Sequence, residues 1–205
     1  MLKYTSSKIF TTLLIVIILP LVLKCELIDK KLNYNDLNVI LTSRDSIFYH
    51  RKQPYSGLVN HFDSSKKMLR QFELLSGKLS GVYKTFDSDE NIILLTHYHQ
   101  GKLHGTWKAF KKGVLVEKVN YNYGLIDGQR KSYWENGLIK EENNYVLGLL
   151  TGTSKFYFSN GQLRKIIGFD TYGNPHGDWI DYSIDGQIKG KVSYNFGKII
   201  VDSIR

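Results

Sequence analysis

The sequence predicts an all-β protein, an elongated single-sheet antiparallel meander of six β-hairpin repeats. Two series of glycines recur at steps of 23 to 25 residues. An aromatic residue follows five positions after each glycine of the first series from Gly81 onward, and apolar residues alternate with polar ones in between. Such self-similarity indicates an array whose units are stabilised by stacking on their neighbours. The first series is Gly57, Gly81, Gly105, Gly128, Gly152 and Gly177, and the second is Gly77, Gly101, Gly124, Gly148, Gly173 and Gly197.

The first 24 residues read as a signal peptide or an N-terminal membrane anchor. Lys3 and Lys8 precede an almost entirely apolar run of 15 residues, positions 9–23. A membrane-spanning helix needs roughly 20 apolar residues, whereas a signal peptide has an apolar stretch of about 7 to 15. Val22 and Cys25 resemble a lipobox, which would lead to lipidation of Cys25, but Lys24 stands where a small residue is usual. Lipidation and an uncleaved anchor both remain open, and either predicts an exported protein at the cell envelope.

The remaining chain divides into a lead-in segment with a capping strand, residues 25–54, and the six-unit array, residues 55–205. Each unit starts with a short strand such as Gly128–Tyr133 and continues through a turn such as Asn136-Gly137. Asn-Gly between apolar runs predicts a hairpin, because both residues tolerate a positive φ. In the second strand, alternation such as Leu115, Val119 and Tyr121 predicts one better-buried face.

At this level of detail the chain resembles the MORN-repeat-variant family of bacteria, often labelled YwqK-type. The resemblance rests on the segments Gly101–Gly105, Gly128–Gly148 and Gly152–Gly161, and on the lead-in Asp45–Gly57. It implies a β-hairpin array that serves as a membrane-apposed scaffold or an oligomerisation module. The YwqK label further implies an antitoxin component, although an export signal departs from a cytoplasmic antitoxin.

Charge and composition narrow the class of partner. The formal net charge is +9, and without the three lysines of residues 1–24 it is 25 − 19 = +6. This mild basicity lacks the clustering of a nucleic-acid binder, so no nucleic acid is expected. One lysine lies three residues after the unit glycine in four consecutive units, which predicts a row with a step of about 10 Å. The row comprises Lys84, Lys108, Lys131 and Lys155, a candidate site for anionic lipid or glycan or else a solvated face.

Other candidate sites carry weaker signals. Trp107 and Trp179 lie two residues after their glycines and form either a stacking surface for a partner or part of the packed ladder. His97, His99 and His104 could bind zinc only if they converge, and a structural role is favoured. No nucleophile elbow, P-loop or zinc-protease signature occurs in the sequence,. The sequence therefore predicts a non-enzymatic scaffold without metal or cofactor that binds an unidentified protein, with lipid or glycan binding as the alternative.

Overall fold

A computed structural model describes residues 31–41 and 46–204 of the chain. Strands β1 to β18 span Lys31–Asn33, Asn38–Leu41, Ser46–His50, Gln53–Pro54, Gly57–Phe62, Met68–Leu75, Lys78–Phe86, Ile92–His99, Lys102–Leu103, Gly105–Lys111, Val114–Asn122, Leu125–Tyr133, Ile139–Val146, Leu149–Tyr157, Leu163–Phe169, Gly177–Tyr182, Ile188–Asn195 and Lys198–Ile204. A single 3₁₀ turn, Tyr34–Asp36, is the one helical element within the described residues. None of the described helical structure has the length and apolar character needed to cross a bilayer.

The predicted all-β antiparallel meander is confirmed. From β5 to β18 the large sheet follows chain order, and every neighbouring pair on this path is antiparallel. The short strand β9 lies off the path and pairs with β8. Turns therefore lie along two edges. Edge I carries the turns within each hairpin, such as β12 to β13, and edge II carries the turns between hairpins, which hold the second glycine series.

The N-terminal segment departs from a single antiparallel sheet. Strand β1 pairs with β5 in parallel, and β2, β3 and β4 form a separate three-stranded sheet. Together they cover a buried cluster of Tyr55, Val59, Phe72 and Leu74. Side chains from the lead-in, including Leu32, Tyr34, Leu37 and Phe48, pack against that cluster. This cap gives the first hairpin a hydrophobic core that a single-layer sheet could not supply by itself.

The two glycine series occupy different kinds of turn and bulge. Gly128, with φ of +97°, lies in a wide bulge of β12 where three residues face Asn120 alone. Gly148 closes a two-residue turn on edge II with Leu147, and both residues have positive φ. The amide of Gly148 donates a hydrogen bond of 2.8 Å to the carbonyl of Ile126 in the preceding unit. Equivalent bonds join Gly77 to Tyr55, Gly101 to Leu79, Gly124 to Leu103 and Gly197 to Pro175. Five of the six glycines of the second series are thus tied by a backbone bond to the preceding part of the array, whereas the Gly173 amide donates to the carbonyl of Asp170 within its own turn.

The Asn-Gly turns on edge I differ from the expected geometry. Gly137 has φ of +82°, but Asn136 is not among the residues with positive φ. The Gly137 amide donates to the carbonyl of Trp134, and the Asn136 side chain accepts from the amide of Leu138. This is a type I turn followed by a left-handed glycine. The predicted hairpin is present, but of the two turn residues only Gly137 uses a positive φ. Asn136 contributes through its side-chain oxygen instead.

Register divides the large sheet into two faces. The packed face carries the row Val59, Phe72, Tyr83 and Thr96 on successive strands, and it continues through Val119, Asn143 and Ser154. Most of these side chains are buried, with Val59 and Ser154 fully so. The opposite surface, which carries the predicted lysines, is called the lysine face below.

Candidate functional site

All four predicted lysines lie in one row that crosses the lysine face. Lys84 pairs with Leu95, Leu95 with Lys108, and Lys108 with Lys118. Lys118 then pairs with Lys131. The row continues from Lys131 through Glu142 to Lys155. The second strands of the hairpins therefore insert residues that the one-per-unit spacing did not reveal.

The inserted residues divide the row electrostatically. Lys108, Lys118 and Lys131 stand directly opposite one another on adjacent strands, an arrangement of like charges that destabilises a sheet unless an anion is present. Glu142 then forms an ion pair with Lys131, with 2.7 Å between Nζ and Oε1. The hydrogen bond from Lys131 lowers the pKa of Glu142 against the opposing effect of burial. The positive charge is thus concentrated on β7 to β12 and partly neutralised beyond.

Glu142 also organises the adjacent tyrosine. The Tyr157 hydroxyl donates to Oε2 of Glu142 at 2.9 Å. Burial, together with this carboxylate, raises the pKa of Tyr157 to about 12. The Tyr157 hydroxyl therefore stays protonated and acts as a donor at neutral pH.

A second basic row results from bulges near edge I. In each hairpin the second strand carries one extra residue, as where Ser132 and Tyr133 face Glu141 and Ile139 and leave Lys140 between them. A bulge bends the strand and redirects the extra side chain. In the first three hairpins the extra residues are Leu69, Ile93 and Val116, and in the last three they are Lys140, Arg164 and Lys189. The position thus changes from apolar to basic halfway along the array, and the three basic side chains are exposed.

These basic residues line open grooves together with aromatic side chains. Lys140 Nζ lies 4.8 Å from the ring centroid of Trp134 in a groove of about 530 Å³. One unit on, Arg164 and Lys189 line a groove of about 400 Å³ with Phe158 and Tyr182. Cations over aromatic faces gain electrostatic stabilisation and are common where partners dock. This set was not predicted from the sequence, although its three basic residues lie 24 and 25 residues apart.

The two predicted tryptophans lie on the packed face and are not brought together. Trp107, on β10, pairs with Val119. Trp179, on β16, donates from Nε1 to the carbonyl of Gly168 at 2.9 Å. Its ring lies 4.6 Å from that of Tyr194 and 5.7 Å from that of Phe169. Both indoles therefore act as rungs of the packed ladder.

Two of the three histidines come together, and the third has a contact of its own. His97 Nδ1 lies 3.1 Å from the carbonyl oxygen of Thr106. His99 and His104 have ring centroids 5.8 Å apart, and both rings contact Tyr123. Within residues 31–41 and 46–204, no three His, Cys, Asp or Glu side chains are placed to hold a metal ion. Cys25 lies outside the described residues.

The middle of the packed face is polar, which sequence reasoning also missed. Arg130 lies between two carboxylates, 2.7 Å from Glu117 and 3.5 Å from Glu141. Asn143 is buried beside them and donates to Glu141. A charged group that is half-buried needs such partners, so these residues pin the register at the centre of the array.

Comparison with known proteins identifies the repeat. Residues 126–146 and 150–170 match the family model described as MORN repeat variant. Each matched stretch spans one hairpin, β12 with β13 and β14 with β15. No curated protein matches the chain. The resemblance to the MORN-repeat-variant family is therefore confirmed for these two hairpins, whereas the narrower YwqK label stays a prediction.

Proposed function

We propose, from the premise that this chain carries MORN-variant repeats, that it is a non-enzymatic scaffold, exported and held at a membrane, that binds a protein partner. An antitoxin role stays a prediction of the family resemblance alone. The observation that carries the proposal is the set of grooves near edge I between β12 and β17. Each groove combines an exposed cation with an aromatic side chain, and the two repeat at the spacing of the hairpins.

This combination suits a protein partner with acidic and apolar groups. Arg, Tyr and Trp dominate the energetics of protein interfaces because they offer large contact areas with polar groups at the tips. The grooves are open and shallow, which fits an extended surface contact better than a small molecule that buries most of its area. Repetition over several hairpins would also let weak contacts add up along the array.

The experiment is affinity capture of cross-linked partners by the full-length protein from the membranes of its own cells. The test variant changes Lys140, Arg164 and Lys189 to Glu, and the matched control changes the exposed lysines Lys52, Lys66 and Lys112 to Glu. Both variants alter the net charge by the same amount, 3 × (−2) = −6. We expect the wild type and the control to recover the same protein and the test variant to lose it. Equal recovery by all three proteins would contradict the assignment of the grooves.

A second candidate is binding of an anionic lipid or glycan through the lysine row. The specific observation in its favour is that Lys108, Lys118 and Lys131 are register partners on three adjacent strands, with no other residue between them in the row. Changing the four predicted lysines, Lys84, Lys108, Lys131 and Lys155, to Glu alters the charge by 4 × (−2) = −8. Co-sedimentation with anionic vesicles or an acidic polysaccharide should then collapse. In the unmodified protein it should weaken as the Debye length falls from about 10 Å at 0.1 M salt to about 3 Å at 1 M.

A further inference from the structure

Edge II carries a ridge of exposed apolar side chains. Tyr172 is 76% exposed, Leu147 and Phe196 are each 63% exposed, and Tyr123 is 53% exposed. These residues belong to the successive turns that join the last four hairpins and the final strand. With the exposed strand residues beside the turns they form the edge II ridge, defined as Tyr123, Leu125, Val146, Leu147, Leu149, Tyr172 and Phe196. Large apolar side chains exposed in one turn after another along the same edge indicate a contact with another apolar phase.

Three members of the ridge hold a strained backbone. Tyr123, Leu147 and Phe196 have φ of +47°, +50° and +45° and occupy the first position of two-residue turns. Asn, Asp or Gly fits that position, because residues with a bulky Cβ substituent disfavour the left-handed region. The Tyr123 ring packs against His99 and the Phe196 ring against His176, yet Tyr123, Leu147 and Phe196 all stay more than half exposed. Strain of this kind is concentrated at functional sites.

The opposite edge has fewer exposed apolar residues. In its turns Asp63–Lys67 and Asp87–Asn91 an aspartate side chain accepts hydrogen bonds from the turn amides, as Asp170 also does in the edge II turn that holds Tyr172. Glu135 on this edge pairs with Lys111 at 3.0 Å. The large apolar residues that are clearly exposed at the described edge I turns, such as Ile184 and Ile188, are fewer and scattered. The array is thus amphipathic from edge to edge as well as from face to face.

The path of the chain brings the N-terminal segment to the same edge. Strand β1 runs parallel to β5, and Lys31 pairs with Leu58, one residue from the edge II end of that strand. Cys25 is six residues before Lys31 in the sequence. Six residues span at most about 20 Å when fully extended. A lipid on Cys25 and an uncleaved apolar segment ending at Leu23 would therefore both place a bilayer near edge II.

We propose that the edge II ridge is a second membrane contact, which lays the array along a lipid bilayer with the apolar turn residues in the interfacial layer. The inference rests on the membrane anchoring in the proposed function and adds the surface and the orientation. Tyrosine and phenylalanine are well suited to the interface, where an apolar ring and a polar tip are both accommodated. Lys78, Lys102 and Lys198 start strands at the same edge and match anionic headgroups,. Edge I and the basic grooves then face away from the bilayer toward a partner.

The test is hydrogen exchange of the full-length protein in vesicles of phosphatidylcholine and phosphatidylglycerol, with sedimentation of each sample recorded. The ridge variant is Leu147→Asn with Tyr172→Ser, since neither side chain has a ring contact in the described structure and Asn suits the turn at position 147. The control variant is Ile184→Asn with Ile188→Thr, which removes apolar residues of similar exposure near edge I. Exchange is followed in the unmodified turns 121–126 and 194–199 and compared with the edge I turns 134–138 and 158–162.

We expect the turns 121–126 and 194–199 to exchange more slowly in the wild type and the control than in the ridge variant, with the edge I turns alike in all three. In detergent micelles the three proteins should exchange alike, which shows that the ridge variant is folded. If all three proteins sediment with the vesicles and the edge II turns exchange equally fast in each, the ridge is not a membrane contact. The proposed anchoring would then still stand. Failure of the wild type to sediment would overturn both. If, in micelles, exchange at edge II becomes slower as the protein concentration rises, the ridge contacts a second copy of the chain. That result would also overturn the proposal.

Discussion

A methyl group added at Gly168 should destabilise the array, because β15 approaches the following turn too closely there. A Cβ at position 168 would overlap the carbonyl oxygen of His176. The carbonyl of Gly168 accepts two hydrogen bonds, from the His176 amide at 2.9 Å and from Trp179 Nε1 at 2.9 Å. Relief of the clash must separate the same backbone segments that these bonds hold together. Gly168→Ala therefore loses hydrogen bonds as well as space.

The magnitude follows from both effects. A lost intramolecular hydrogen bond costs about 0.5 to 1.5 kcal/mol, and overpacking of a tight site costs about 1 to 3 kcal/mol. The two costs do not simply add, because the backbone shift that breaks the hydrogen bonds also relieves part of the overpacking. We therefore expect Gly168→Ala to lower the free energy of unfolding by about 2 to 4 kcal/mol. For a chain of this size, each kcal/mol lowers the melting temperature by about 2 to 4 °C. The expected fall is therefore at least about 4 °C.

Gly190→Ala supplies the matched control. Gly190 lies in β17, its φ is not in the left-handed region, and a Cβ there would meet nothing within 4 Å. Substitution at such a site restricts the unfolded chain and stabilises by up to about 1 kcal/mol. Urea unfolding followed by circular dichroism and tryptophan fluorescence measures both variants. Equal midpoints for Gly168→Ala and Gly190→Ala would refute the proposed close approach.

Three further predictions concern the anchor, the packed face and the lysine face. Cys25→Ser should release the protein from membranes if Cys25 is lipidated, whereas unchanged retention with an intact N-terminus in a fractionation assay would support the uncleaved anchor. Tyr145→Ala and Ile167→Ala should each lower the free energy of unfolding in urea by about 1 to 3 kcal/mol, because both side chains lie half-buried on the packed face,. Lys131→Met, which removes a partly exposed ion pair, should lower it by less than about 1 kcal/mol. A loss for Lys131→Met as large as that for Tyr145→Ala would contradict the assignment of the faces. The hydrogen bond from Lys131 lowers the pKa of Glu142. The stabilisation from this bond is therefore present above the unfolded pKa of glutamate, about 4.3, and is lost as the pH falls through the lower folded value. The difference in stability between the wild type and Lys131→Met should shrink between about pH 7 and about pH 3.

Much of the fold could be predicted because the regular spacing of glycines and apolar residues marks the turns and strands of each hairpin. Glycine at a fixed spacing marks backbone positions that other residues occupy only with strain, and Gly128 and Gly148 have φ of +97° and +87°. Alternation identified the packed strands for the same reason, since a side chain two positions on returns to the same face. The turn type was not predictable, because Asn136 suits either geometry and the choice depends on the hydrogen bonds of the neighbouring strands.

The candidate site was predicted only in part, because cross-strand partners are not adjacent in sequence. The spacing identified Lys108 and Lys131 but not Lys118 between them, whose alignment depends on the register of β11. Likewise, the effect of Glu142 on the row depends on its pairing with Lys131 and Lys155. Bulges added a further uncertainty, since one extra residue shifts the face of every residue that follows.

The lead-in was the least predictable segment. A parallel first strand needs contacts between residues far apart in sequence, as where Leu32 lies beside Val59. Nothing in the spacing of the later hairpins specifies that pairing, because the segment precedes the first repeat. Its apolar residues indicated a cap, whereas the separate sheet of β2, β3 and β4 follows from the packing of Phe48 against Phe72.

The cap makes the array unequal along its length. Four buried apolar side chains lie in the first hairpin and its approach, while farther along the described chain the buried residues are Thr96, Val119, Asn143, Thr151 and Ser154. Hairpins beyond the cap therefore depend more on their hydrogen-bonded neighbours than on a core of their own. In a one-dimensional array such a gradient gives unfolding a direction, since the units farthest from the cap open at the lowest free energy. The basic grooves lie in those units, so the part of the molecule that meets a partner is also the part that can most easily adjust its curvature to fit it.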